Sequence, residues 1–440
     1  MEIGSNNLKW NGHDLYVVED REGKTEASVF YAPTLKLALL IKNELAAKLW
    51  SGEVPEIIQK KLERQLPIAQ NPIIDRPKAF HLALGLTKNC TLGCLYCHAE
   101  ADKNILTDRR LISRAIDYAF SHAGDTPKKT LTVSFAVGGE PTMNWELFRY
   151  AVDRIRELER EGTNGVAKVF LSMTTNGYYG DTKRHYVADN FDTLTLSLDG
   201  FAAIQNLHRP TRMGHESYSL VAETCKYLLK SGLVRIGLRG TVSKESVRFL
   251  AEIIDHYYEE FGGGYAVAFE PLIQTGRALD NRSLLPPTNE QFAENYWKAK
   301  KRGEQFGIRV VTSAANINRL VGRYCGAMSI PSFTVCSDGQ ITACHRDQDA
   351  TDYGYGSIDA VSGNVSLDTS RIENNVGQTE MPSYCDSCIA KWHCAGDCPD
   401  LRRVGYSRCD VNRFLVLRQL EDLLTQEKGG DKDGELQPGH

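Results

Sequence analysis

Between His81 and Ile273 the chain alternates short apolar or β-branched runs with longer stretches of helical periodicity. The runs at 81–87, 131–137, 168–174, 193–198, 235–242 and 265–270 read as strands, with helices predicted over 110–122, 146–160, 217–231 and 246–259 among the intervening segments. Six strand-helix repeats with near-continuous apolar strands predict an α/β fold, a parallel sheet covered by helices. In such folds functional residues collect on the loops beyond the C-terminal strand ends. Here those loops carry Cys90-Thr-Leu-Gly-Cys94-Leu-Tyr96-Cys97 after the first strand, Gly138-Gly139-Glu140-Pro141 after the second and Thr174-Thr175-Asn176-Gly177 after the third. Asp199-Gly200 follows the fourth, and Glu270-Pro271 closes the sixth.

The flanks differ. Leu8 to Tyr31 carries strand-like runs around turn signals at Asn11-Gly12 and Asp20 to Gly23, followed by helical patterns over Lys36 to Trp50 and Glu56 to Leu66. Residues 1–75 are expected to form a small α+β module, joined by a linker at 71–77 to a main domain over 76–310. A cysteine-rich extension over 311–428 and a disordered Gly- and charge-rich tail over 429–440 complete the prediction. A length of 440 residues suits two or three units, and a formal charge of -4 argues against a nucleic-acid partner. The N-terminal residues lack the pattern of a secretory signal, and no run approaches 18 apolar residues, so a cytoplasmic protein with no membrane partner is expected.

Twelve cysteines in a reducing compartment point to metal ligation rather than disulfides. Cys225 stands alone in a helical pattern and reads as a packing residue. Cys90, Cys94 and Cys97 place three thiolates on one short loop and leave one metal corner without a protein ligand. A structural site normally closes its coordination sphere, whereas an open position serves chemistry, so the spacing favours an iron-sulfur cluster. A zinc loop borrowing a distant ligand, or three unrelated reduced cysteines, are the alternatives. The other eight are Cys325, Cys336, Cys344, Cys385, Cys388, Cys394, Cys398 and Cys409. Ser337-Asp338-Gly339-Gln340 is a hairpin signal that brings Cys336 and Cys344 together.

The C-x3-C-x2-C loop with an aromatic before its third cysteine, followed by the Gly-Gly-Glu-Pro turn, resembles the radical S-adenosylmethionine (SAM) superfamily. That resemblance implies a partial (β/α)6 TIM-like barrel. It also implies a 4Fe-4S cluster on Cys90, Cys94 and Cys97 whose open iron chelates SAM, and reductive cleavage of SAM to a 5′-deoxyadenosyl radical. Tyr96, Gly138, Gly139, Glu140, Asn176, Ser197, Asp199 and Arg239 would then bind the cofactor. Gly138 and Gly139 would approach it through backbone, Glu140 would accept from the SAM ammonium, and Ser197 and Asp199, on one face of a strand end, would bond the ribose. Glu270 is a further candidate, and a turn or capping role is the alternative for Asp199.

The C-terminal cysteines resemble the SPASM extension of radical SAM enzymes that modify peptides. This implies two auxiliary 4Fe-4S clusters, one on Cys325, Cys336, Cys344 and Cys398 and the other on Cys385, Cys388, Cys394 and Cys409, for three clusters in all. Zinc is the competing occupant. The resemblance implies a maturase acting on a ribosomally made precursor peptide, whose leader the N-terminal module would capture by strand addition, with reduced flavodoxin or ferredoxin as electron donor. Sulfatase-maturing relatives, which make formylglycine, place an aspartate base immediately after the third ligand of the hairpin. Here that position is His345, a candidate catalytic residue able to take a proton near neutral pH. Sulfatase maturation, a small-molecule dehydrogenase and a non-catalytic iron-sulfur or zinc protein are the other readings.

Overall fold

The computed structural model describes residues 8–19, 27–65, 79–99, 106–281, 283–329 and 333–426. The expected turn at Asp20 to Gly23, the linker at 71–77 and the tail at 429–440 lie outside them. The chain forms two compact units, one of residues 1–75, 314–325 and 379–440, the other of residues 76–313 and 326–378. The cysteine-rich segment 311–428 is thus divided between both units and does not form a third.

The first unit is built on an antiparallel sheet in the order β1 (Leu8–Trp10), β2 (His13–Glu19), β3 (Ala27–Ala32) and β4 (Leu37–Lys42). Asn11 and Gly12 close the β1-β2 hairpin with φ of 47° and 84°, the left-handed pair that a two-residue turn of this hand requires. The helix predicted over Lys36 to Trp50 forms only at Asn43–Trp50. Leu37 to Lys42 pairs instead along all of β3, because a short apolar run fits a strand as readily as a helix and here an open strand lies beside it.

Both faces of this sheet are apolar, so it needs two covers. Leu15, Val17, Phe30, Leu39 and Ile41 pack on helices Asn43–Trp50 and Glu56–Glu63 through Leu49, Ile58 and Leu62. Tyr16, Val18, Val29 and Tyr31 face the other way, onto Ile389, Ala390, Val416, Leu417 and Leu420 of the C-terminal segment. Polar tips fix that second layer: Tyr16 Oη donates to the Cys388 carbonyl at 3.2 Å, and Trp392 Nε1 donates to Asp14 at 3.0 Å.

In the second unit β5 (Phe80–Gly85), β6 (Thr130–Val137), β7 (Lys168–Thr175), β8 (Thr193–Ser197), β9 (Arg235–Val242), β10 (Ala266–Pro271) and β11 (Arg309–Val311) lie parallel in chain order. Beyond β5 the sheet continues with β12 (Phe333–Val335), parallel to β5, and then antiparallel β13 (Gln340–Thr342), β14 (Gly354–Ile358) and β15 (Val365–Leu367). β11 and β15 are its edges, so the sheet winds in barrel order without closing. Asp108 caps helix Arg109–Ala123 by accepting from Arg110 N at 2.7 Å, and Thr288 with Gln291 forms a capping box on Asn289–Phe306.

The strands are not apolar on both faces. Along β6, Leu131, Val133, Phe135 and Val137 are buried while Thr130, Thr132, Ser134 and Ala136 are half-buried, and β7, β9 and β10 alternate likewise. One face meets the helices; the other presents small and hydroxyl side chains, a face kept accessible because the sheet stays open.

The two-sided sheet of the first unit generates a test. Removing residues 1–75 strips the cover from Val416, Leu417 and Leu420, which are at most 3% exposed. The shortened chain should aggregate, and limited proteolysis should cut within 379–426. Leu420→Ala in the full chain should cost about 2–5 kcal/mol by denaturant unfolding.

Candidate functional site

The loop from Cys90 to Cys97 has no regular structure and takes its shape from its neighbours. Gly93 N donates to the Pro210 carbonyl at 2.7 Å and Leu95 N to that of His208 at 3.0 Å, while Leu92 bridges Thr211. Arg277 Nη1 donates to the Cys94 carbonyl at 3.1 Å. Cys97 lies close enough to both other thiols to disfavour their thiolates, as Cys90 does for Cys94. Burial pushes the Cys90 thiol up to about 11 and the Cys94 thiol to about 12. Two donors reach the sulfurs: Asn176 Nδ2 lies 3.4 Å from Cys90 Sγ, and Arg209 Nη1 lies 4.0 Å from Cys94 Sγ. N–H groups directed at sulfur stabilise thiolate, the form that ligates iron.

The Gly-Gly-Glu-Pro turn braces this loop. Gly139 N donates to the Thr87 carbonyl at 2.8 Å and Glu140 N to that of Asn89 at 2.9 Å. A Cβ on Gly138, at φ 91°, would come within 2.3 Å of Thr87 O, and one on Gly139 within 1.9 Å of Asn89 O. The close approach that demands glycine is therefore to the cysteine loop's own backbone. Glu140, only 2% exposed, accepts from Thr142 N at 3.3 Å, Thr175 Oγ1 at 3.1 Å and Asn176 N at 2.8 Å. Its carboxylate, expected to face a SAM ammonium, is turned inward to join two strand ends. Asn176 is also 7% exposed, with its amide on Cys90 and, at 3.0 Å, Thr91.

Asp199 departs furthest from expectation. It lies past the end of β8, its side chain fully buried. It accepts from Tyr96 Oη at 2.6 Å, His208 Nδ1 at 3.1 Å and Thr241 N at 2.8 Å, and pairs with Arg209 Nε at 3.0 Å. Three hydrogen bonds and an ion pair thus engage the carboxylate within the protein. Burial opposes its charge, yet the Arg209 guanidinium and the His208 bond prevail and hold it down at about 2. His208 Nε2 in turn meets Ser243 Oγ at 3.0 Å. Sequence reasoning missed His208 and Arg209. They sit at and just after the end of the short helix Ala202–His208, and their only signal is the run His208-Arg209-Pro210 nine residues past Asp199.

The remaining candidates are dispersed. Ser197, 8% exposed, pairs in register with Arg239, an exposed side chain on the open face of β9. Glu270 holds the Ser313 N–H at 2.6 Å. Cys336 leaves β12 at the sheet end where the cysteine loop leaves β5, and Lys88 of that loop lies close enough to lower its thiol pKa, although burial carries it to about 12. Lys88 is ion-paired with Asp349. His345 is half-buried, and burial lowers its pKa. Asp347 is committed to the turn, accepting from Tyr353 N at 2.7 Å and Thr351 N at 3.0 Å. In the first unit Cys388 and Cys409 lie close enough to raise the thiol pKa of Cys385, and Cys385, Cys388 and Cys409 to raise that of Cys394. Cys325 and Cys398 belong to that unit, and Cys336 and Cys344 to the other. Cys225 is fully buried in helix Tyr218–Ser231. Among the described residues no three His, Cys, Asp or Glu side chains are arranged around a single metal ion, and no helix is long and apolar enough to cross a membrane.

Residues 84–252 match the family model of the radical SAM superfamily. The chain is 26% identical over 351 residues to a serine-type anaerobic sulfatase-maturating enzyme of Klebsiella aerogenes, covering 77% of this chain and 83% of the relative. Its fold is similar to that of anSMEcpe with bound AdoMet, at TM-score 0.57 and 18% identity over 79% of this chain and 97% of the other. It is also similar to Streptococcus suis SuiB bound to precursor peptide SuiA, at TM-score 0.53 and 14% identity over 88% and 97%. The superfamily implies SAM and a 4Fe-4S cluster.

Two outcomes follow from this geometry. Gly139→Ala forces a methyl against Asn89 O and should abolish iron binding at the first loop, read as iron and sulfide content after anaerobic reconstitution. The depressed Asp199 carboxylate contributes about 2 kcal/mol of stability, present above its unfolded value near 4 and lost as pH falls through about 2. Asp199→Asn should lower stability at neutral pH and flatten that acid limb in urea titrations.

Proposed function

We propose that the protein is a radical SAM peptide maturase, in which Cys90, Cys94 and Cys97 hold the SAM-binding cluster. When bound, cluster and SAM supply a 5′-deoxyadenosyl radical that takes hydrogen from a peptide side chain, leading to a cross-linked or oxidised product. The observation that carries this reading is the thiol loop itself: three neighbouring sulfurs, two of them reached by side-chain donors, with no fourth cysteine on the loop. Asn176 and Arg209 would orient the first two sulfurs, while Glu140 and Asp199 keep the loop's frame rigid. The open, small-residue face of β6 to β10 would receive the peptide. A peptide partner is supported by structures of anSMEcpe with Kp18Cys peptide and of SuiB with precursor peptide SuiA.

Two auxiliary 4Fe-4S clusters complete the proposal. Cys385, Cys388, Cys394 and Cys409 would hold one, supported by their closeness. The other, on Cys325, Cys336, Cys344 and Cys398, rests on sequence position. Their role would be to pass an electron between a carrier such as reduced flavodoxin or ferredoxin, the substrate radical and the first cluster. Sulfatase maturation is the second reading, favoured by the sulfatase-maturating relatives. Against it stands His345 where those enzymes typically carry aspartate, with Asp347 buried in its turn and Asp349 paired with Lys88.

Anaerobic reconstitution with iron and sulfide, followed by dithionite and SAM, should yield 5′-deoxyadenosine; none would sink the enzyme reading. Cys94→Ala should abolish that product and retain the iron of the other eight cysteines. Incubation with a precursor peptide encoded beside the gene should change its mass, whereas formylglycine in a sulfatase peptide, and no change in the precursor, would decide for the second reading.

A further inference from the structure

Arg209 is a buried cation with two neighbours, the Asp199 carboxylate at 3.0 Å and the cysteine loop. The Asp199 carboxylate beside it already accepts from Tyr96 Oη, His208 Nδ1 and Thr241 N. A neutral side chain would satisfy what remains, and burying a guanidinium costs solvation that a neutral group would not. The guanidinium also faces the cysteine loop, with Nη1 at 4.0 Å from Cys94 Sγ and its carbon 5.2 Å from the Tyr96 ring centroid. Asp199 holds the guanidinium at one end, and the loop backbone holds the sulfur at the other.

We infer that Arg209 is a positioning residue that makes the SAM-binding cluster easier to reduce, its fixed charge acting through the Cys94 thiolate. Reduction adds one electron from the donor, dithionite in the test, and so one negative charge to a cluster already surrounded by thiolates. A cation held beside one of those sulfurs favours the reduced form, as hydrogen bonding and charge do for iron-sulfur centres in general. Tyr96 and His208 keep Asp199 in place, and through it the guanidinium.

The inference rests on Cys94 being a cluster ligand. It is tested by redox titration of the reconstituted full chain, following the paramagnetic resonance signal that changes when SAM is added. Arg209→Gln should lower the ratio of reduced to oxidised cluster about tenfold at a fixed potential, a shift of about 59 mV for one electron. Arg209→Lys should stay within about threefold of the parent. If Arg209→Gln fails to load this cluster while Arg209→Lys loads it with the parent potential, charge is again the requirement and the inference stands. A loaded Arg209→Gln protein with unchanged potential overturns it. So does failure of both variants to load, which would make guanidinium shape the requirement. A SAM-responsive signal that persists in Cys94→Ala would instead overturn the ligand assignment beneath it.

Discussion

Two buried carboxylates hold the cysteine loop, and the rest of the site depends on them. A loop without regular hydrogen bonding cannot present three sulfurs in one geometry by itself, and burying a carboxylate is costly unless its oxygens are matched. Glu140 takes donors from the β6 and β7 strand ends and so fixes the turn that braces residues 87–89. Asp199 takes donors from the loop, from β9 and from the helix end at His208. Their electrostatics differ for a stated reason: beside Arg209 the Asp199 carboxylate stays charged, while Glu140 has only neutral donors and burial raises its pKa. Both braces join residues far apart in sequence, which ties the loop to the assembly of the sheet.

The repeat of strands and helices was legible because a parallel strand buries one face completely, and each of the six runs lies within about two residues of its strand. The cysteine spacing was legible for a similar reason, since sulfur ligands three and four residues apart have few other uses. What could not be read was direction. Asp199 and Glu140 looked like ligands for an amine or a sugar, being polar residues at functional strand ends. Their inward turn depends on His208, Arg209, Thr142 and Thr175, whose positions only the folded chain defines. The glycines mislead in the same way. A residue without Cβ marks a close approach, but its sequence does not name what approaches.

Residues 37–42 and 311–428 show a second limit. An apolar hexamer next to an open strand becomes a strand, whatever its helical periodicity, because pairing satisfies six residues of backbone at once. Contiguity in sequence likewise does not make a domain. Phe333 to Leu367 adds strands to the edge of β5, while the chain from Thr379 onward turns to the bare face of the N-terminal sheet. The first unit therefore has a structural task independent of any peptide: its aromatic tips, Tyr16, Tyr31 and the Trp392 partner Asp14, pin the segment that carries Cys385, Cys388 and Cys394.

The open sheet explains how a protected centre and an accessible face coexist. A closed barrel of this strand order would fill its interior with large side chains, layer on layer. Here the interior positions are Thr132 and Ser134, Ser172 and Thr174, Thr195, Gly237 and Thr241, Ala266 and Ala268, all small, while the volume of Leu, Val and Phe lies on the opposite, helix-covered face. Packing energy is concentrated on one side of the sheet, so the other can stay unfilled without loss of stability. Phe170, Arg235, Arg239 and Glu270 are larger members of the same alternation, and the Arg239 cation stands on the face itself. The division places rigidity behind the sheet and around the thiols, and leaves freedom where a substrate must fit.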